Sequence, residues 1–234
     1  MYEIIPSPGT EEKVWSEIEK KIISVKPFVK TIHVDVCDGK FAPNATFADP
    51  TLFKKFTKEL PSGMRGQMVG DSGLVFEVHL MVEDPVQHLK PWADAGFHRF
   101  IGHIEKMPDQ VAFVAQAQLL GEVALAIDKQ TPLDAIKVNL ESLDALLVMD
   151  IQAGFSGQRF EEQLLEKVKS ARAMNEYLPI EVDGGINDET IAIAASAGAN
   201  RFVVTSFLFN LDTPESQYKL LQEKLQNLSQ KLVE

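Results

Sequence analysis

Cysteine is nearly missing from this sequence: Cys37 is the only one in 234 residues. No disulfide can form within the chain, and no cysteine-built metal cluster either, which fits a reducing compartment. Long apolar runs are missing too, since none approaches the roughly 20 residues that a membrane-spanning helix needs. The first residues, Met1-Tyr2-Glu3-Ile4-Ile5-Pro6, lack the basic-then-apolar pattern of a secretory signal. Positive charge is in deficit, with 23 Lys and Arg against 34 Asp and Glu and a net charge of -11. Nucleic acid and anionic membrane both reward a basic surface, so neither is expected as a partner. A phosphate can still be held locally, by backbone N–H groups and helix N-termini. The expectation is a soluble, cytoplasmic protein.

What is present in quantity is an ordinary core. Hydrophobic residues make up 45% of the chain and charged residues 24%, enough to bury a core without staples. Short apolar runs alternate with longer segments of helical period. Strands are expected at 2–6, 31–36, 75–81, 99–104, 122–127, 145–150, 179–182 and 201–205. Runs such as Leu146-Leu147-Val148-Met149 are apolar on both faces, the mark of a parallel sheet covered by helices.

Helices fit between these strands. Residues 161–175 place Leu164, Leu165, Val168 and Ala171 at helical spacing, and Leu221, Leu225, Leu228 and Leu232 form one stripe near the end. Pro85 and Pro132 stand where helices would begin. Asn187 reads as an N-cap before 190–197 and Gly198 as the glycine closing that helix. Eight such βα units predict one (β/α)8 barrel over residues 1–234, with an open doubly wound sheet as the alternative. Residues 61–73 look like a lengthened loop before the third strand.

In a barrel the chemistry sits where strands end. The second strand closes with His33-Val34-Asp35, whose His and Asp share one side, the third with His79, the seventh with Asp183. Two imidazoles and two carboxylates at one mouth suit Zn²⁺, Fe²⁺, Mn²⁺ or Co²⁺. A buried carboxylate without a partner costs several kcal/mol, so these Asp residues call for one. Glycines after the sixth and seventh strands, in Gly154-Phe155-Ser156-Gly157 and Gly184-Gly185, and Thr205-Ser206 after the eighth suggest a phosphate site.

These same residues carry a family resemblance. The stretch His33-Val34-Asp35-Val36-Cys37-Asp38-Gly39-Lys40-Phe41-Ala42-Pro43-Asn44 resembles the H-x-D-x-M-D-G-x-F-x-P-N segment of ribulose-phosphate 3-epimerases. Val78-His79-Leu80-Met81-Val82, Leu147-Val148-Met149, Gly154 to Phe160, Glu181-Val182-Asp183-Gly184-Gly185 and Ala197-Gly198-Ala199-Asn200 are similar to that family's later motifs, in order. The resemblance implies a TIM barrel of the ribulose-phosphate-binding type that interconverts D-ribulose 5-phosphate and D-xylulose 5-phosphate with one divalent metal ion, as a homodimer or hexamer. It places His33, Asp35, His79 and Asp183 as metal ligands, with Asp35 and Asp183 as the acid/base pair. Ser7, Met81 and Met149 fall on substrate-lining positions, with Gly154, Ser156, Gly157, Gly184, Gly185, Thr205 and Ser206 around the phosphate.

The departures gather on the phosphate half. Pro8-Gly9 follows Ser7, Gln152-Ala153 replaces a usual Glu-Pro, Ser156 replaces a glycine, and Thr205 replaces the glycine before Ser206. Cys37 stands where methionine is usual, and Asp128-Lys129-Gln130 differs from the family's loop after the fifth strand. Another ketose phosphate, such as allulose 6-phosphate, is therefore an alternative substrate. A barrel that binds a sugar phosphate without turnover is a third reading, which loss of a ligand would favour.

Overall fold

The computed structural model describes residues 1–10, 12–57, 74–150 and 160–231. Gly154, Ser156, Gly157 and the expected loop 61–73 lie outside the described residues, as does Leu232.

Eight strands form one sheet: β1 Glu3–Pro6, β2 Thr31–Cys37, β3 Val75–Met81, β4 Arg99–His103, β5 Glu122–Ile127, β6 Ala145–Met149, β7 Ile180–Asp183 and β8 Arg201–Val204. Their order is β1-β8-β7-β6-β5-β4-β3-β2, and every neighbouring pair is parallel. The ends of this series meet at a seam between β1 and β2, crossed by two side-chain bonds. Thr31 Oγ1 donates to Glu3 Oε1 at 2.5 Å and Ser7 Oγ to Asp35 Oδ2 at 2.7 Å. Parallel strands wrapped into a nearly closed ring, with helices outside, make a (β/α)8 barrel. All eight strands fall within a residue of their expected ends, and the open-sheet alternative is set aside.

The helices are α1 Trp15–Val25, α2 Val86–Asp94, α3 Gln110–Gln118, α4 Leu165–Met174, α5 Thr190–Ser196, the single turn α6 Ser206–Phe209, and α7 Pro214–Lys231. Helix α2 does begin just after Pro85. Asn187 accepts from the N–H groups of Glu189 and Thr190, and Gly198 takes φ +111, so α5 starts and stops as its sequence implies. Leu221 and Leu225 of α7 are buried against the barrel. Each contributes about 1.5–3 kcal/mol by leaving water, so truncation of Leu221 to Ala is a direct way to loosen α7.

Three of the connecting segments contain 3-10 turns. The segment after β2 forms a 3-10 turn, Pro50–Lys55, started by Asp49 accepting from Thr51 N. Residues 161–175 divide into a 3-10 turn, Glu162–Leu164, and then α4. Pro132 opens only a 3-10 turn, Leu133–Ala135, because the Gln110 side chain occupies backbone groups that a longer helix would use. It donates to the Ala135 carbonyl at 3.0 Å and accepts from Lys137 N at 2.7 Å. No helix among the described residues is long and apolar enough to cross a membrane.

Alternation along the strands sends one side-chain set outward under the helices and the other into the lumen. The lumen is divided. Cys37, Met81, Ile101, Ala124, Ala126, Ala145, Leu147 and Met149 line one half, mostly with small apolar groups. The half formed by β1, β2, β3, β7 and β8 carries buried His33, Glu77, His79, Glu181 and Arg201. The three alanines leave room for these long polar side chains, which burial forces to find partners.

Candidate functional site

The lower layer of the polar half is a closed ion network. Glu77 Oε2 takes hydrogen bonds from Arg99 Nη1 at 2.7 Å and Arg201 Nη2 at 2.8 Å. Arg201 Nε also donates to Glu181 Oε2 at 2.8 Å, while Glu3 and Glu122 pair with Arg201 and Arg99 at the rim. Burial opposes the charge on Glu77, yet Arg201, His33 and Arg99 together hold it well below the usual carboxylate range. Glu77 Oε1 then accepts from Nδ1 of His33 at 2.8 Å. With that nitrogen engaged, the ring turns Nε2 upward, toward Asp35.

Above this layer four side chains converge. Donor atoms of His33, Asp35, His79 and Asp183 all lie within 4.8 Å of one another. His33 Nε2 stands 3.3 Å from Asp35 Oδ1, and His79 Nδ1 stands 3.0 Å from that oxygen and 3.8 Å from Asp183 Oδ2. The imidazoles are fully buried, while Asp35 and Asp183 keep 7% and 14% of their side-chain surface, so the carboxylates face the mouth. His33 Nε2 is buried without a hydrogen-bond partner among the described residues. A buried ring nitrogen with no hydrogen-bond partner, beside the Asp35 carboxylate, fits a divalent cation, and the mixed N/O donor set suits the transition metals.

The two carboxylates are electrostatically unlike. Burial and the neighbouring Asp35 push Asp183 up to about 8. Asp35 is also penalised by burial, but His33 and His79 hold it well below the carboxylate range. Ser7 adds to this by donating to Asp35 Oδ2. One carboxylate is therefore disposed to keep a proton and the other to lack one.

The loop after β2 shapes the mouth. Asp38 accepts from the N–H groups of Lys40, Phe41 and Glu83 at 2.8, 2.8 and 2.9 Å, and Gly39 turns the chain at φ +75. This folds Phe41 over the apolar half of the lumen, above Met81 and Met149.

The expected phosphate residues come together only in part. Gly185 and Ser206 line one cavity of about 510 Å³ with Asn187 and Thr190. Gly184 and Gly185 take φ +124 and +63. A side chain on Gly185 would sit 2.7 Å from Phe160 N, so close packing of that backbone also demands glycine there. Thr205, with φ -114 and ψ -82, joins β8 to α6.

Sequence reasoning missed two groups. Glu77, Arg99, Glu181 and Arg201 precede site residues by two or four positions on the same strand face, so strand alternation could have found them. His103 was missed as well; it ends β4 fully buried, with its ring 4.9 Å from that of His79.

The fold and the site thus define a (β/α)8 barrel carrying a metal-type His/Asp cluster at the C-terminal ends of its strands. The model of the Ribulose-phosphate 3 epimerase family matches residues 13–209, and the chain belongs to that family. Ribulose-phosphate 3-epimerase of Candida glabrata is 32% identical over 199 residues, covering 83% of this chain and 80% of its own. The enzyme of that name from Schizosaccharomyces pombe is 35% identical over 185 residues, 79% of this chain and 77% of its own. Among solved structures, 3-hexulose-6-phosphate synthase from Salmonella typhimurium superposes with a TM-score of 0.67 at 13% identity, covering 97% of this chain and 99% of that one. KGPDC from Streptococcus mutans does so at 0.68 and 11%, covering 97% and 99%. Those two likenesses are of fold alone.

Proposed function

We propose that this protein is a metal-dependent epimerase that inverts the carbon beside the carbonyl of D-ribulose 5-phosphate, giving D-xylulose 5-phosphate. The observation that carries this reading is the pair Asp35 and Asp183, drawn together by His33 and His79 yet pushed apart in proton affinity. A proton next to a ketone is weakly acidic, and its removal leaves an enediolate. One divalent ion held by His33, Asp35, His79 and Asp183 would supply Lewis-acid stabilisation of that charge. Inversion needs one carboxylate on each face of the carbon. One of Asp35 and Asp183 takes the proton from one face while the other returns a proton to the opposite face; the reverse reaction exchanges the roles. Met81 and Met149 give the reacting carbons an apolar wall, which keeps water from competing for the enediolate.

The phosphate is proposed to lie over Gly157, Gly184, Gly185 and Ser206. Thr205 supports keeping a second substrate in view, because its β-branched side chain stands beside Ser206 at the end of β8. A relative from Oryza sativa is named a cytoplasmic isoform, and the same compartment and a homo-oligomeric state are proposed here. The test is an epimerase assay across ketose 5- and 6-phosphates with metal analysis of the same sample. Turnover of ribulose 5-phosphate by metal-loaded protein is expected, and preference for allulose 6-phosphate would move the substrate to the second reading. Binding without turnover of any ketose phosphate would leave a sensor instead.

A further inference from the structure

His103 has no role in the chemistry above, yet it is built into the mouth with care. Gly102 before it faces the helices, where a side chain would meet Phe113 and Met107, so His103 faces the lumen. Its ring lies between His79 and Phe41, with centroids 4.9 and 4.8 Å away. Its strand partner on β5 is Ala126, and the surrounding lumen is lined by Ile101, Met81 and Met149. None of those side chains offers a strong hydrogen bond. Nε2 of His103 is buried and has no partner among the described residues. A buried polar atom left so costs about 1–3 kcal/mol, which a purely structural histidine would avoid.

The other nitrogen is anchored. His103 Nδ1 stands 2.8 Å from Glu105 Oε2. Burial disfavours the charge on Glu105, but His103 and the N–H of Asp128 hold its carboxyl at about 2. An ionised carboxylate only accepts, so Nδ1 carries a proton, and Nε2 is the ring atom left to meet a ligand. Glu105 Oε1 is fixed in turn by Asp128 N at 2.6 Å. That loop is tied down by Lys167, whose Nζ donates to the carbonyls of Asp128 and Lys129 at 2.8 and 2.7 Å. The loop 128–129 thus supports, through its backbone, the residue that orients His103.

We propose that His103 is a substrate-binding residue whose Nε2 accepts a hydrogen bond from a ketose-phosphate hydroxyl, beside the His33, Asp35, His79 and Asp183 cluster. The proposal rests on the epimerase reading for its ligand class. Glu105 and the Asp128 loop are positioning groups for it.

The experiment compares His103→Phe, His103→Gln and Glu105→Gln with the parent chain, each loaded with the same divalent metal. Metal per chain, melting temperature, Kd for ribulose 5-phosphate by calorimetry, and kcat and KM are measured on each. Phe keeps the stacked ring without an acceptor, so Kd and KM are expected to rise about tenfold or more at unchanged metal content. Gln places an amide oxygen near the position of Nε2 and is expected to recover part of the loss, with Glu105→Gln between Phe and parent. Parent-like Kd in His103→Phe would overturn the proposal, and so would weakening that follows metal loss in proportion. If the Phe variant does not fold, the Gln variants decide on the same readouts. A parent that binds ribulose 5-phosphate without turnover overturns the epimerase reading, and the role of His103 is then judged on Kd alone.

Discussion

Glu77 accepts from Nδ1 of His33 at 2.8 Å while it bridges Arg99 and Arg201, so one carboxylate couples the floor of the barrel to the His/Asp cluster at its mouth. Glu77→Gln is expected to weaken divalent-metal affinity about 10–100-fold, the usual cost of losing such an outer partner. The amide no longer dictates which His33 nitrogen carries the proton. Breaking a buried ion pair costs about 3–5 kcal/mol. Glu3, Glu122 and Glu181 still serve the two arginines, so the lower end is expected. Competition with a chelating dye measures the affinity, and unchanged affinity would detach Glu77 from the site.

Metal removal by a chelator is expected to abolish turnover, and added Zn²⁺, Fe²⁺, Mn²⁺ or Co²⁺ to restore it. Proton and metal compete for the same atoms. Asp183, pushed up to about 8 by burial and Asp35, holds a proton at pH 7 that a cation must displace. Affinity should therefore tighten as pH rises from 6 to 8, by up to about tenfold per unit for each displaced proton. A pH-independent Kd with no proton release into weak buffer would contradict the electrostatics of the pair.

Asp150, whose N–H donates to the Asp183 carbonyl at 2.8 Å, allows a stability prediction. Burial, with Glu161 nearby, raises its pKa to about 7, although Glu161 N donates to Oδ2 at 2.8 Å. In the unfolded chain an Asp ionises near 4. Between these values the unfolded state binds fewer protons, so this group's contribution to stability falls as pH rises from about 4 to 7 and is flat beyond. The loss amounts to a few kcal/mol at ~1.4 kcal/mol per pH unit. Asp150→Asn should flatten that slope and raise the melting temperature at pH 8 more than at pH 5. Equal shifts at both pH values would mean that Asp150 ionises in the folded chain as it does in water.

The strands were readable because burial on both faces leaves near-continuous apolar runs, and His33, Asp35, His79 and Asp183 were readable because charge at the end of such a run is costly. Arg99 and Arg201 carried the same signal but sit 102 residues apart in sequence. Only the register, which sets Glu77 opposite Arg99 and Glu181 opposite Arg201, shows that they share partners. His103 is similar: its partner Glu105 is local, but the stack with His79 is set by the register of β3 on β4. The helix expected from Pro132 is cut to a single turn because the Gln110 side chain binds backbone groups there, and helical periodicity does not register such competition.

The two carboxylates make the final prediction. If Asp35 and Asp183 work on opposite faces, turnover in D2O places deuterium on the inverted carbon. Asn is close to Asp in shape but cannot carry the proton. In an Asp35→Asn or Asp183→Asn variant, the remaining carboxylate still removes a proton from the epimer that presents it on that face. After exchange with solvent it returns a deuteron to the same face, so label enters without inversion. Each variant should exchange one epimer preferentially, the two preferring opposite epimers, while epimerisation falls by at least about 10²-fold. Both residues also belong to the donor cluster, so metal content is measured on each variant and exchange is compared per loaded site. Near-parent epimerisation by either loaded variant would show that inversion does not need two carboxylates.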